Sequence, residues 1–259
     1  MTNSSDIFAS HPGILHPAQD GFIKGGDPNR CIDCVLDVWE HAHKKQAECY
    51  NIFYDIRAAY DSVRHDDMIR CLHRFGMPKS FIEFVTSSLS GLKAQVRTPY
   101  GCTKQFDVQR SLRQGDPLSP ILFVMFVDSL HEGISSNPLE KDRNDGYIFK
   151  RWEGVKNKVI ASKGFADDTW VVSGTRAGLR RINRWVHAWC TWHDLHLHPR
   201  KTRFLALEWK TNPDGGKGKY AAKLPTVPSD MKITVGGNRK PHWHWIVQSS
   251  TWGFIFRWI

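Results

Sequence analysis

Two adjacent carboxylates interrupt an apolar run in Phe165-Ala166-Asp167-Asp168-Thr169-Trp170-Val171-Val172. Ionised groups stripped of water are costly unless paired, so such a pair belongs at a turn in solvent or around a cation. Adjacent aspartates are common, and Asp66-Asp67 is an internal comparison: it lies among polar residues at a helix start, where carboxylates complement the helix dipole. In Asn51-Ile52-Phe53-Tyr54-Asp55-Ile56-Arg57-Ala58-Ala59-Tyr60-Asp61, a further carboxylate, Asp55, ends an apolar strand, and Tyr60 follows on the turn leading away. A strand-end Asp by itself is most often a cap for the next turn. Brought beside Asp167 and Asp168, it would complete an oxygen-rich site suited to Mg²⁺, which takes one or two carboxylates and fills its shell with water and phosphates. Two such ions clamp the attacking and leaving oxygens of an in-line phosphoryl displacement. A third signal is Arg113-Gln114-Gly115-Asp116-Pro117-Leu118-Ser119-Pro120. Gly115 lets backbone approach a ligand and Gln114 offers amide donors and acceptors, while Pro120 fits the first turn of a helix.

The elements that must position these residues follow from periodicity. Asp27-Pro28 reads as a cap and first-turn proline opening a helix to about Lys45. Asn51 to Ile56 fits a buried strand. Met68, Ile69, Leu72 and Phe75 share one face of a helix stopped by Gly76, and Pro78 begins another with Phe81, Ile82, Val85 and Leu89 in register. Alternation over Lys93 to Thr98 and Gln105 to Gln109, around Tyr100-Gly101, predicts a hairpin. The run from Ser119 is apolar all round and predicts a buried helix ending near Gly133. The charged stretch from Glu140 to Lys163 reads as exposed loop and hairpin, and Val159 to Ser173 as two strands meeting at Asp167-Asp168. Ile182, Trp185, Val186, Trp189, Cys190 and His193 mark an amphipathic helix, and Phe204 to Trp209 a last strand. This order predicts an α+β fold, a sheet with helices on one face that presents carboxylates from separate strands at one edge.

Composition narrows the partners. Lys and Arg outnumber Asp and Glu by 36 to 26, and the sequence pI is near 9.4, which favours a polyanion, nucleic acid first. No run of about 18 apolar residues exists and the first residues lack a basic stretch followed by an apolar one, so neither a spanning helix nor a secretory signal is expected. Six scattered cysteines suit a reducing compartment; an intracellular protein, nuclear or cytoplasmic, is the expectation. Cys31 and Cys34 form a CxxC with His41 and His43 downstream, but Ile32, Val35, Leu36, Trp39 and Ala42 recur at helical spacing through it, so these read as helix cysteines rather than zinc ligands. From Lys210 to Ile259, Lys and Arg (210, 217, 219, 223, 232, 239, 240, 257) face only Asp214 and Asp230, with many Gly, Pro and Trp and no period.

In this order, Asp55-x-x-x-Ala59-Tyr60-Asp61, Arg113-Gln114-Gly115-Asp116-Pro117-Leu118-Ser119-Pro120 and Phe165-Ala166-Asp167-Asp168 resemble the successive palm motifs of reverse transcriptases, most closely those of non-LTR retrotransposons. Gly21-Phe22-Ile23-Lys24-Gly25, after Gln19, is similar to that family's entry from fingers to palm, and Leu197-His198-Pro199-Arg200-Lys201-Thr202 to its later lysine motif. The resemblance runs from about Gln19 to Leu207. It implies a polymerase palm with partial fingers over residues 19–209, after a poorly ordered segment 1–18 and before a basic, Trp-rich extension 210–259. It also implies Asp55, Asp167 and Asp168 as catalytic metal ligands for two Mg²⁺, with Mn²⁺ as a substitute. Ile56, Arg57, Tyr60, Gln114, Gly115 and Lys201 would lie about the nucleotide, with Tyr60 beneath the sugar, where it excludes a 2′-hydroxyl. Three positions depart from the family pattern: Ser111 and Asp194 stand where Gly is usual, and His198 where Asn is usual.

The function implied is RNA-directed DNA synthesis: the 3′-oxygen of a DNA primer attacks the α-phosphate of a dNTP on an RNA template and pyrophosphate leaves. The rival reading is a truncated, inactive retroelement fragment that at most binds nucleic acid, because the motifs of complete fingers and of a thumb are not recognisable. Under it the chain grips template-primer weakly, having lost phosphate contacts. An RNA-templated RNA polymerase would favour a smaller residue than Tyr60.

Overall fold

Asp27 caps the first helix by accepting from the Asn29 amide, and Pro28 occupies the first turn, so α1 runs over Pro28–Lys45 as its sequence dictates. The computed structural model describes residues 14–113, 115–136, 145–149, 158–211 and 219–221. Strand β1 (Cys49–Tyr54) follows, then the short α2 (Ala59–Ser62), α3 (His65–Arg74) and α4 (Lys79–Leu89). Two-residue ladders β2 (Lys93–Ala94), β3 (Arg97–Thr98), β4 (Gly101–Cys102) and β5 (Phe106–Asp107) build the expected hairpin, β2 pairing with β5 and β3 with β4. Next come α5 (Ser119–Ser136), the antiparallel pair β6 (Tyr147–Phe149) and β7 (Lys158–Ile160), then β8 (Ser162–Phe165) and β9 (Asp168–Ser173). Helix α6 (Arg176–Trp192), strand β10 (Arg203–Leu207) and the antiparallel pair β11 (Trp209–Thr211) and β12 (Lys219–Ala221) complete the order among the described residues. The remainder of the 210–259 extension and residues 1–13 lie outside the described residues.

The central sheet is antiparallel with strand order β10-β1-β9-β8. Ile52, Tyr54 and Val171 alternate onto one face, where α3, α4, α5 and α6 bury the main core around Phe123, Phe126, Leu179 and Trp189. The opposite face is not bare. Cys49, Trp170 and Val172 pack there against Val35, Val38 and Ala42 of α1 and Tyr147 of β6. The continuous apolar run of β9 therefore has a partner on both sides, a pattern that one-sided packing would not have required. The buried Asn51 on that second face accepts from the Trp170 indole at 3.0 Å and donates to the Leu205 carbonyl at 3.2 Å, so its amide is satisfied across three strands.

Three expectations need correcting, the first being helices on one face of the sheet, since α1 packs on the other. Helix α5 does not stop at Gly133 but runs on to Ser136. Gly133 is instead a close approach, since a Cβ there would sit 2.0 Å from the Trp185 ring of α6. Residues 14–18, expected to be poorly ordered, are held: the His16 amide donates to Asp128 at 2.6 Å, Ala18 is buried, and Gln19 forms a parallel bridge to Gly164 on the outer edge of β8. That segment covers a sheet edge that would otherwise expose unpaired backbone groups.

Candidate active site

The register of the sheet decides which carboxylates meet. Tyr54 pairs with Thr169, so Asp55, one residue beyond the end of β1, and Asp168, the first residue of β9, lie at the same end of neighbouring strands. Phe165 pairs with Asp168, which leaves Ala166 and Asp167 as the two-residue turn between β8 and β9. Ala166 is left-handed, with φ of 56°, as such tight turns demand.

That strained turn is held from outside. Gln19, almost fully buried, brackets the Ala166 peptide: its side-chain oxygen accepts from the Ala166 amide at 3.0 Å, and its amide nitrogen donates to the Ala166 carbonyl at 3.2 Å. The same oxygen accepts from the Gly21 amide at 2.8 Å. Gly21 must be glycine, because a Cβ would fall 2.2 Å from the Ala166 nitrogen. Neither periodicity nor charge singled out Gln19; it entered the sequence reading only as the residue before the Gly21-Phe22-Ile23-Lys24-Gly25 entry motif, with no role assigned.

The three carboxylates share one field. At Asp168, a residue still open to solvent, partial desolvation of the carboxyl and then the Asp167 and Asp55 charges push it up to about 6, and Lys201 partly offsets them. Asp167 is also raised, by burial first and with Asp55 contributing. Lys201 lies 3.1 Å from the Asp55 carboxylate. The expected convergence on one shared cation is not present as a closed cluster, since no three His, Cys, Asp or Glu side chains among the described residues are so arranged. Lys201 already supplies the counter-charge to Asp55. The donor set nevertheless fits Mg²⁺: all are hard carboxylate oxygens, and an ion that keeps water and phosphate ligands needs only one or two of them.

The chain leaving Asp55 is stitched to the loop before β10. His198 donates its amide to the Asp55 carbonyl at 2.7 Å and the Arg57 amide donates to the His196 carbonyl at 2.8 Å, on either side of an Ile56–Leu197 bridge. The Arg57 amide is thereby used within the fold, and its side chain is exposed. Tyr60 stacks on Phe123 with centroids 4.5 Å apart, and its buried hydroxyl has no hydrogen-bond partner among the described residues. Burial and the nearby Asp167 charge push that hydroxyl up to about 12. Gly115 has a φ of 90° with open space around it, and Gln114 lies outside the described residues.

The departures noted in the sequence acquire reasons. Ser111 and Asp194 adopt φ of 104° and 53°, the region that favours glycine. Each is tied down, Ser111 by a 3.2 Å bond from its hydroxyl to Asp61 and Asp194 by an ion pair with Arg110. His198 accepts from the Arg200 amide through Nδ1 at 3.3 Å, a turn bond of the kind an Asn side chain makes. The comparison pair behaves differently from its sequence reading. Asp66 and Asp67 do open α3, yet Asp67 is buried, within 3.0 Å of Arg70 and 3.2 Å of His193. Its carboxylate lies between α3 and the end of α6. Cys31 and Cys34 both lie in α1, and burial, then Asp20, pushes the Cys31 thiol up to about 12.

An antiparallel sheet carrying acidic residues on a hairpin turn and on the adjoining strand end, backed by helices, is the palm of a nucleic-acid polymerase. Residues 5–233 match the family model described as reverse transcriptase (RNA-dependent DNA polymerase), and the chain belongs to that family. It is 34% identical over 126 residues to the Pol polyprotein of the type-1 retrotransposable element R2 of Popillia japonica, covering 48% of this chain and 18% of that protein. Identity is 30% over 167 residues to the type-2 element R2DM of Drosophila melanogaster, 63% of this chain and 14% of that protein. To the R2 protein of Nasonia vitripennis it is 26% over 228 residues, covering 87% and 21%. The chain thus spans about a fifth or less of these non-LTR relatives. Among solved structures, apo telomerase from Candida tropicalis, truncated from its C-terminal domain, superposes with a TM-score of 0.55 at 13% identity, over 83% of this chain and 39% of that one. The same enzyme in complex with a TWJ fragment of telomeric RNA gives 0.55 at 13%, over 83% and 33%. That likeness shows the shared fold.

Proposed function

We propose that this chain is the catalytic palm segment of an RNA-directed DNA polymerase, extending a DNA primer with dNTPs on an RNA template. The observation that carries the reading is the register: β1 ends and β9 begins side by side, which brings Asp55 and Asp168 to one end of the sheet with Asp167 on the adjoining turn. Asp55, Asp167 and Asp168 would hold Mg²⁺, or Mn²⁺ in its place. Two bound ions would supply charge stabilisation to the attacking and leaving oxygens. Lys201, now on Asp55, is positioned to turn to a phosphate once a cation replaces it as the counter-charge. Tyr60, backed by Phe123, offers a flat ring where a sugar would lie. Six free thiols support an intracellular setting, nuclear or cytoplasmic, and no helix among the described residues is long and apolar enough to cross a membrane.

Primer extension of oligo(dT) on poly(rA) with Mg²⁺ or Mn²⁺ tests the reading. Extension abolished by the Asp167→Asn, Asp168→Asn double variant is the expected result. Template binding with no extension in either metal would instead favour the inactive, nucleic-acid-binding fragment.

A further inference from the structure

The segment from Gly91 to Arg110 contains no buried residue, although it is built as a paired hairpin. Such an arm contributes nothing to the core, yet it carries apolar groups outward. Tyr100 at its tip is 99% exposed, and Val96 and Phe106 are about half exposed. Exposed apolar side chains grouped on one short element mark an interaction surface rather than a folding need. The charge on the arm is one-sided. Lys93, Arg97 and Lys104 are exposed and make no ion pair among the described residues, and Asp107 is the arm's one acidic residue. At its base opens a groove of about 800 Å³, lined among others by Arg64, His65, Gln109 and Arg110 and by none of the carboxylates of the site.

We propose that this arm is a docking site for single-stranded RNA, separate from the catalytic cleft, with Tyr100 stacking on a base and Lys93, Arg97 and Lys104 bracketing the backbone phosphates. Cations interleaved with exposed aromatics are the surface that single strands select, because every base has a face to stack and every linkage a charge. A protein partner would need an apolar patch continuous enough to dry, whereas Val96, Tyr100 and Phe106 are set apart along the arm by polar residues, and Lys93, Arg97, Lys104 and Arg110 outnumber the single Asp107. Short two-residue ladders also leave the arm able to follow a flexible strand. The inference is independent of the polymerase reading, because binding is measured without catalysis.

The test is fluorescence anisotropy of the full chain with a labelled single-stranded 15-nucleotide RNA, beside a blunt RNA–DNA hybrid, both without divalent metal. Tyr100→Ala is expected to weaken single-strand binding about tenfold, and Tyr100→Phe to restore it. Arg97→Ala with Lys104→Ala is expected to lower the salt dependence of log K by roughly 0.7 per cation removed. Hybrid binding should be unchanged by any of these variants. All positions are exposed, so melting temperatures should match the parent's. Single-strand affinity unchanged within twofold in Tyr100→Ala or in Arg97→Ala with Lys104→Ala, equal loss on single strand and hybrid, or no single-strand binding by the parent would each overturn the proposal. Loss of extension activity in the Asp167→Asn, Asp168→Asn variant leaves these binding results unaffected, so the two readings fail separately.

Discussion

Asp168 is exposed at the start of β9, yet partial desolvation of its carboxyl and two neighbouring carboxylates oppose its ionisation and raise it to about 6. A folded-state value above the unfolded one means that the neutral form is favoured by the fold. The contribution to stability is complete below the ordinary carboxylate value and is lost as pH rises through about 6. Asp168→Asn keeps the neutral form at every pH. In metal-free buffer it should therefore melt higher than the parent at pH 7.5, with the difference vanishing near pH 4; a difference independent of pH would mean that the fold does not raise this group. Tyr60 belongs to the same scale. Its ring stacks on Phe123 and its buried hydroxyl has no hydrogen-bond partner among the described residues, so no polar contact there ties the residue to the core. In an extending enzyme, Tyr60→Ala should raise ribonucleotide incorporation relative to deoxyribonucleotide by an order of magnitude or more, with divalent-metal binding intact. An unchanged preference would reduce the residue to a core aromatic.

Among the elements, the hairpin turn between β8 and β9 depends on a segment more than a hundred residues away in sequence. Gln19 satisfies both polar groups of the Ala166 peptide and so fixes the direction in which Asp167 leaves the turn. Gln19→Ala would leave a buried amide and carbonyl unpaired, at a cost of ~1–3 kcal/mol. The expected readout is a lower melting temperature together with weaker divalent-metal binding, because the turn that aims Asp167 loosens. A loss of stability with metal affinity unchanged would show that Gln19 supports the fold without positioning the carboxylate. The two strained non-glycine positions, Ser111 and Asp194, follow the same logic: a left-handed backbone is tolerated because a hydroxyl bond to Asp61 and an ion pair to Arg110 hold it.

For the whole molecule, a cation that binds only the folded site must stabilise it. Mn²⁺ at about ten times its dissociation constant should add ~1.4 kcal/mol, a shift in melting temperature of roughly 2–4 °C per kcal/mol for a chain of this size. The shift should shrink below pH 6, where protons compete for Asp168, and disappear in the Asp167→Asn, Asp168→Asn variant. A shift that survives both changes would place the ion elsewhere. Much of this molecule was legible from sequence. The cap at Asp27-Pro28, the hairpin around Tyr100-Gly101 and the helical faces of α3, α4 and α6 are local, set by turn chemistry and period within a few residues. The order of the acidic motifs carried the family resemblance. Only the tertiary structure decided that β1 lies between β9 and β10, that α1 covers the second face of the sheet, that Asp67 is buried against His193, and that Gln19 holds the turn of Asp167. Each of these is a contact between distant segments, fixed by which apolar faces and unpaired backbone groups find partners after collapse, and no spacing along the chain records that outcome.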